Sequence, residues 1–291
     1  MVDAYTSGEY LTSNGLQIPF TPQYFERMTE SHVNEGDLLR KRYEEDGYLC
    51  FRSFLDQVKV WEIRKKYFSL FDAKIFKEGT EPMEGVFSGQ FQFMPRQHGH
   101  EGHPAAEFVK EPEFEMFTNQ KKLYDIAAFL LGGDVIQLKR KPLRHFYKDT
   151  CISSRAHSDF TYLDNGTSRL LSVWIPLGDI PLQTGSLVYL KQSSQIDVDS
   201  LREQVKPING AVMDSRPISQ NLKAVSDKTG LPWLYSDFKA GDIVIHDPFI
   251  VHASLDCTTD KMRLSTDLRF ARASEQTDAR WVNPWRGDDG Y

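Results

Sequence analysis

The chain has 291 residues, of which 40% are hydrophobic and 26% charged, a balance that excludes a disordered or collagen-like polymer. No run approaches the roughly 18 apolar residues that cross a bilayer, so no membrane span is expected. Thirty-five basic residues against 41 acidic ones leave a net charge of −6, without the basic footprint of a nucleic-acid binder.

The opening residues lack a basic-then-apolar leader. Cys50, Cys151 and Cys257 are far apart and form neither a C-x-x-C pair nor a disulfide framework, so the expected setting is reducing and cytoplasmic. Along the chain, Asp37 is placed to cap a first helix, with Leu38, Leu39 and Tyr43 as its apolar stripe and Gly47 as its end. Tyr48 to Phe51 reads as a short buried strand. Asp56 caps a second helix in which Val60, Ile63, Tyr67 and Phe71 fall near helical spacing. A third helix runs from Asn119 to Leu131 and stops at Gly132-Gly133. Between them, residues 79–112 are rich in Gly, Pro, His and Phe and read as a long irregular lid or binding loop.

After Gly133 the texture changes. Val135 to Leu138, Leu143 to Tyr147, Leu170 to Ile175, Leu187 to Leu190, Ile243 to Ile245 and Arg263 to Phe270 are short β-type runs split by turn residues. Many short strands without intervening helices predict a sandwich or barrel such as a jelly roll. Residues 200–230 are polar and read as an insertion. No linker separates two cores, so one mainly β domain with flanking α-helices is expected: a helical buttress and lid loop over 1–133, the β core over 134–272, and a tail over 273–291.

Eight histidines are candidates for chemistry. His98, His100 and His103 crowd one Gly-rich loop, but no cysteine lies near, and a substrate loop is the better reading. In a strand, residues i and i+2 share a face, so His157 and Asp159 would project side by side. A third ligand from a distant strand would complete a 2-His-1-carboxylate triad, with open positions on Fe(II) for a bidentate cosubstrate and O2. His252 and His246 compete for that place. Arg263, across a hairpin from His252, suits the far carboxylate of a 2-oxo acid. Its alternatives are a surface ion pair with Asp260 or Asp267, and Arg269 competes for the role. His145 reads as a strand residue near the pocket.

These residues resemble the phytanoyl-CoA dioxygenase family of Fe(II)/2-oxoglutarate-dependent oxygenases. The likeness lies in ordered blocks over about Leu38 to Phe270: Tyr43-Glu44-Glu45-Asp46-Gly47-Tyr48-Leu49, Ala156-His157-Ser158-Asp159-Phe160, Ser172-Val173-Trp174-Ile175-Pro176-Leu177, Thr184-Gly185-Ser186-Leu187, and His252-Ala253-Ser254 followed by Arg263-Leu264-Ser265. Lys191 and Gln192 depart from the family's usual pattern, at positions that are not metal ligands. The resemblance implies a double-stranded β-helix, that is, a cupin-like jelly roll. It implies that His157, Asp159 and His252 hold iron and that Arg263, with Ser254 beside it, binds 2-oxoglutarate. Trp174 would line the cosubstrate pocket and Thr150 would add a further contact. The spacing from His252 favours Arg263 over Arg269 and sets His246 behind the ligands.

The implied reaction couples oxidative decarboxylation of 2-oxoglutarate by O2 to oxidation of an unactivated C–H bond. Asp159 favours oxygenation over halogenation, in which that carboxylate is replaced by a small residue. Phe87, Phe91 and Phe93, with Met94, are candidates for an apolar lid wall, and Arg155 for a substrate contact. Lys139, Arg140, Lys141 and Arg144 read as a solvated strand edge. The ending Arg280 to Trp285 either folds back on the core or makes a contact between copies in a homo-oligomer. The expected activity is hydroxylation of a lipophilic small molecule, a secondary metabolite. An acyl-CoA hydroxylase, a desaturase or rearrangement enzyme, and a non-catalytic jelly-roll binding protein are the alternatives.

Overall fold

The computed structural model describes residues 10–93, 103–205 and 216–285. The described chain opens with strands, ahead of the first expected helix. A hairpin of β1 (Tyr10–Ser13) and β2 (Leu16–Pro19) turns at Asn14-Gly15, both at positive φ as a tight Asn-Gly turn requires. Short strands β3 (Phe25–Arg27) and β4 (Glu30–Ser31) follow. Helix α1 (Asp37–Asp46) is not capped by Asp37 as expected. Gly36, at φ 56°, takes the cap position as the chain leaves a 3-10 turn, and Asp37 sits inside the first turn, where the helix dipole favours its charge. Leu38 faces solvent, so the buried stripe is Leu39 and Tyr43.

Strand β5 (Tyr48–Phe51) lies where expected. Asp56 caps α2 (Gln57–Phe68) through the Val58 N–H, and the helix stops short of Phe71. The stretch expected to be irregular ends in two short helices, α3 (Pro104–Phe108) and α4 (Pro112–Thr118). Each begins with the proline that had marked it as loop, which suits the first helical position because no N–H partner is needed there. Helix α5 (Lys121–Leu131) ends at Gly132 in the left-handed region.

The remaining strands are β6 (Val135–Gln137), β7 (Leu143–Phe146), β8 (Leu170–Pro176), β9 (Leu187–Leu190), β10 (Trp233–Tyr235), β11 (Ile243–His246), β12 (His252–Ser254) and β13 (Arg263–Arg272). Residues 200–230 are not a bare polar insertion. They carry the end of α6 (Val198–Gln204) and all of α7 (Leu222–Thr229), which bury Leu201, Leu222 and Val225.

Two sheets face each other. The larger runs β4-β5-β11-β8-β13-β6, with β7 on the first half of β13; the smaller runs β12-β9-β10-β3. Both are antiparallel apart from β10 with β3 and β4 with β5. Their inner faces meet in a core of Tyr48, Cys50, Trp174 and Val244 against Leu187, Tyr189 and Leu234. The outer face of the large sheet, including Leu171, Val173, Leu264 and Leu268, packs on the aromatic residues of α2 to α5. The outer face of the small sheet, with Val188, Leu190 and Trp233, packs on the β1–β2 hairpin, α6 and α7. Strands covered on both faces read as continuous apolar runs, and β8 is buried at every position. The tail folds back, burying Trp281 and Trp285. Among the described residues no helix is long and apolar enough to cross a membrane.

Candidate metal centre

His157 does not lie in a regular strand beside Asp159, as strand alternation had predicted. It makes a single bridge to His252, with reciprocal backbone bonds of 3.0 and 2.9 Å, and Asp159 then opens a 3-10 turn to Tyr162. The turn swings the carboxylate round, and the Phe160 N–H, bonded to the Pro248 carbonyl at 2.7 Å, fixes it there. Candidate ligand atoms of His157, Asp159 and His252 all lie within 4.8 Å of one another. His252 Nε2 is 3.9 Å from Asp159 Oδ1, and the two imidazole centres are 4.3 Å apart.

The other nitrogen of each ring faces a carbonyl. His157 Nδ1 lies 2.6 Å from the Arg155 oxygen and His252 Nδ1 3.1 Å from that of Ile250. An Nδ1–H donated to a carbonyl leaves the Nε2 lone pair for a metal. Burial, reinforced by His157 and His246, pushes the His252 pKa well below its ordinary value, so the ring is neutral. Burial opposes the charge on Asp159, yet the Arg269 guanidinium, with His246 beside it, holds its carboxyl well below the usual range. Two imidazoles and one ionised carboxylate are the donor set that suits ferrous iron.

Arg263 lies beyond this cluster, on the inner face at the start of β13. Its guanidinium is 1% exposed, rests 4.4 Å from the Phe146 ring and 5.7 Å from the Trp174 ring, and donates to Ser254 Oγ at 3.1 Å. Nε and Nη2 of Arg263, Nε1 of Trp174 and Oγ of Ser265 have no hydrogen-bond partner among the described residues. Burial, and then Arg144 nearby, drives the Arg263 pKa down. A buried cation with free donors is costly unless an anion joins it. A dicarboxylate that chelates iron at one end and meets this fork at the other fits these donors.

Behind Asp159 three more side chains converge. Arg269 Nη2 donates to Oδ1 at 3.0 Å, Ser172 Oγ donates to Oδ2, and His246 Nε2 lies 3.4 Å from Oδ2 without the geometry of a hydrogen bond. The other His246 nitrogen is 2.9 Å from Tyr189 Oη. His246 was weighed as a ligand in the sequence, and Arg269 as the cosubstrate arginine. Ser172 opens one of the blocks of resemblance, but neither it nor Tyr189 was expected to have a role at the site.

The other expected residues are placed as follows. Thr150 is half-buried, its hydroxyl closing a turn onto the Tyr147 carbonyl at 3.2 Å. Arg155 is half-buried and offers its carbonyl to His157. Phe87 and Phe91 meet at a tilt and both set their rings edge-on to Tyr147, with only Phe91 exposed, and Phe93 packs on Phe71 and His103. Met94, His98 and His100 lie outside the described residues. His145 is not near the pocket. It pairs with Leu264 on the outer face of the large sheet, enclosed by Tyr67, Phe68, Phe71 and Tyr147. The basic run is not a solvated edge either. Lys139 is exposed, but Arg140 stacks on Trp281, Lys141 reaches Glu115 at 2.8 Å and Arg144 pairs with Asp267 at 3.0 Å.

The family model described as phytanoyl-CoA dioxygenase (PhyH) matches residues 43–265. No curated protein matches the sequence. Similar solved structures include the non-haem alpha-ketoglutarate-dependent carbocyclase SnoK from nogalamycin biosynthesis, at 19% identity and a TM-score of 0.58 over 85% of this chain and 88% of that one. The epimerase SnoN of the same biosynthesis is 17% identical, with a TM-score of 0.57 over 82% and 84% of the two chains. EctD from S. alaskensis with bound Fe is 18% identical, with a TM-score of 0.57 over 93% and 86%. At such identities the likeness is one of fold: a jelly roll flanked by helices.

Proposed function

The chain belongs to the phytanoyl-CoA dioxygenase family, and from that premise we propose that it uses Fe(II) and 2-oxoglutarate to hydroxylate an unactivated C–H bond of a lipophilic small molecule. The observation that carries this reading is the convergence of His157, Asp159 and His252 with a buried arginine that still has donors to offer. In it, the Nε2 atoms of both histidines and one Asp159 oxygen would hold the iron. Arg263 and Ser254 take the far carboxylate of 2-oxoglutarate. Phe146 and Trp174 wall that cation and exclude water, which strengthens its hold on an anion. When bound, iron, 2-oxoglutarate and O2 supply an oxidant able to attack a C–H bond, with succinate and CO2 as by-products.

The residues serve one site from both sheets, which supports reading the chain as a single oxygenase domain. A secondary-metabolite substrate is favoured because similar folds belong to enzymes of nogalamycin biosynthesis. Substrate contacts are proposed at Arg155, just ahead of the His157–Asp159 turn, and at exposed Phe91.

The test is anaerobic titration with Fe(II) and 2-oxoglutarate. A weak visible charge-transfer band is expected in the wild-type chain and none in His252→Ala. Arg263→Gln should keep the iron and lose the band at cosubstrate concentrations that saturate the wild type. A wild-type chain with neither the band nor 2-oxoglutarate-dependent succinate release in the presence of metabolite extracts is not this enzyme.

A further inference from the structure

Three side chains of the large sheet close on the Asp159 carboxylate. Arg269, Ser172 and His246 are direct cross-strand partners, Arg269 opposite Ser172 between β13 and β8 and Ser172 opposite His246 between β8 and β11. They form one row across the inner face of the large sheet. All three converge on a carboxylate that arrives from a different part of the chain. A carboxylate has about four lone-pair sites. Donors from this row meet both of its oxygens, leaving room for a metal on the side of the imidazoles.

Arg269 commits its charge to this one acid. It is 3% exposed, its single ion pair among the described residues is with Asp159, and its Nε and Nη1 have no hydrogen-bond partner there. Trp281 lies over the guanidinium, 4.4 Å from its centre, and is pinned by its own Nε1–H to the Tyr162 carbonyl at 3.0 Å. Tyr162 ends the same 3-10 turn that Asp159 begins. The folded-back tail therefore seals the cation and grips the turn that carries the ligand.

We propose that the Arg269–Ser172–His246 row is a positioning cradle for Asp159, with Arg269 its principal member. It fixes the carboxylate as a one-oxygen ligand and thereby sets the affinity and ligand field of the iron. This rests on the iron centre proposed above. Arg269 touches neither substrate nor cosubstrate in this reading and acts only through Asp159.

The test uses the full chain under anaerobic conditions. It follows Fe(II) binding, the visible band with 2-oxoglutarate, and melting of the metal-free protein. Loss of a residue that orients a metal ligand costs about 10- to 100-fold in metal affinity. Arg269→Met is expected to lose that much and to shift the band, with Arg269→Lys, which keeps the charge, lying between. An Arg269→Met protein that melts as the wild type does, and binds Fe(II) within about threefold of it with an unmoved band, overturns the cradle alone. Should Arg269→Met not fold, Ser172→Ala decides. It removes one hydroxyl from the same carboxylate and is expected to weaken Fe(II) binding and shift the band in the same sense; an unmoved band and affinity overturn the proposal. A wild-type chain that binds no Fe(II) overturns the parent function, and the cradle with it.

Discussion

His145 and His252 are both buried imidazoles kept neutral, one on each face of the same fold. Burial pushes each pKa well below the ordinary histidine value, helped at His145 by His103 and Arg64 and at His252 by His157 and His246. As pH falls through about 6.5 the unfolded chain takes up a proton on each and the native chain does not. Stability of the metal-free protein is therefore lost as pH drops below that value, toward the depressed native pKa. His145 lies 3.0 Å from Tyr67 Oη and 3.2 Å from Met262 Sδ, in an aromatic pocket that a phenyl ring fits. Urea unfolding of His145→Phe between pH 7.5 and 5.5 should show an acid slope shallower by up to about 1.4 kcal/mol per pH unit. Equal slopes would mean that His145 takes up its proton in the fold. The sequence distinguished the ligand residues better than their surroundings. The resemblance attaches roles to His157, Asp159 and His252, whereas Ser172, though in a block, and Tyr189 look like any strand residue until the strand pairing brings Ser172 to the carboxylate and Tyr189 to His246 behind it.

Helix α2 does more than cover the sheet. Its Arg64 is buried without a carboxylate partner among its described contacts. It donates to four carbonyls: Met83 at 2.8 Å, Glu84 at 3.2 Å, Leu177 at 2.9 Å and Met262 at 3.1 Å. One side chain thus ties the 3-10 turn Pro82–Glu84, the end of β8 and the residue before Arg263. Two glycines make room for it. A Cβ at Gly85 would meet Arg64 Nη2 at 2.3 Å, and one at Gly178 would meet Nη1 at 2.9 Å. Arg64→Met should lower the unfolding free energy by at least about 3 kcal/mol, because buried carbonyls lose their donors. A loss under about 1 kcal/mol by urea titration would show that water replaces the guanidinium. The elements that the sequence hid are short or borrowed. Strands β10 and β12 are three residues each and exist only through the partners flanking them, and α3 and α4 begin at prolines that in isolation signal a loop.

At the scale of the molecule, helices lie on both outer faces of a two-sheet core, and the proposed metal joins segments remote along the chain. An ion that binds the native state alone stabilises it by about 2.7 kcal/mol at a free concentration of about 100 times its dissociation constant. Anaerobic Fe(II) should therefore raise the melting temperature of the wild type and leave His252→Ala unmoved. An equal rise in both would assign the effect to binding elsewhere. Composition and strand spacing were enough to expect a β core with a helical buttress. They could not show the second buttress of α6, α7 and the β1–β2 hairpin, because those residues are polar in sequence and apolar only on the faces that meet the small sheet. The order in which the pieces leave the ribosome carries one more consequence. The first imidazole and the carboxylate are synthesised before the second imidazole, both arginines after it, and the indole that closes over Arg269 after those. A nascent polypeptide halted before β13 holds all three proposed ligands but lacks Arg263, Arg269 and Trp281, so the anion-binding fork and the support behind the carboxylate form only once β13 and the segment after it are made.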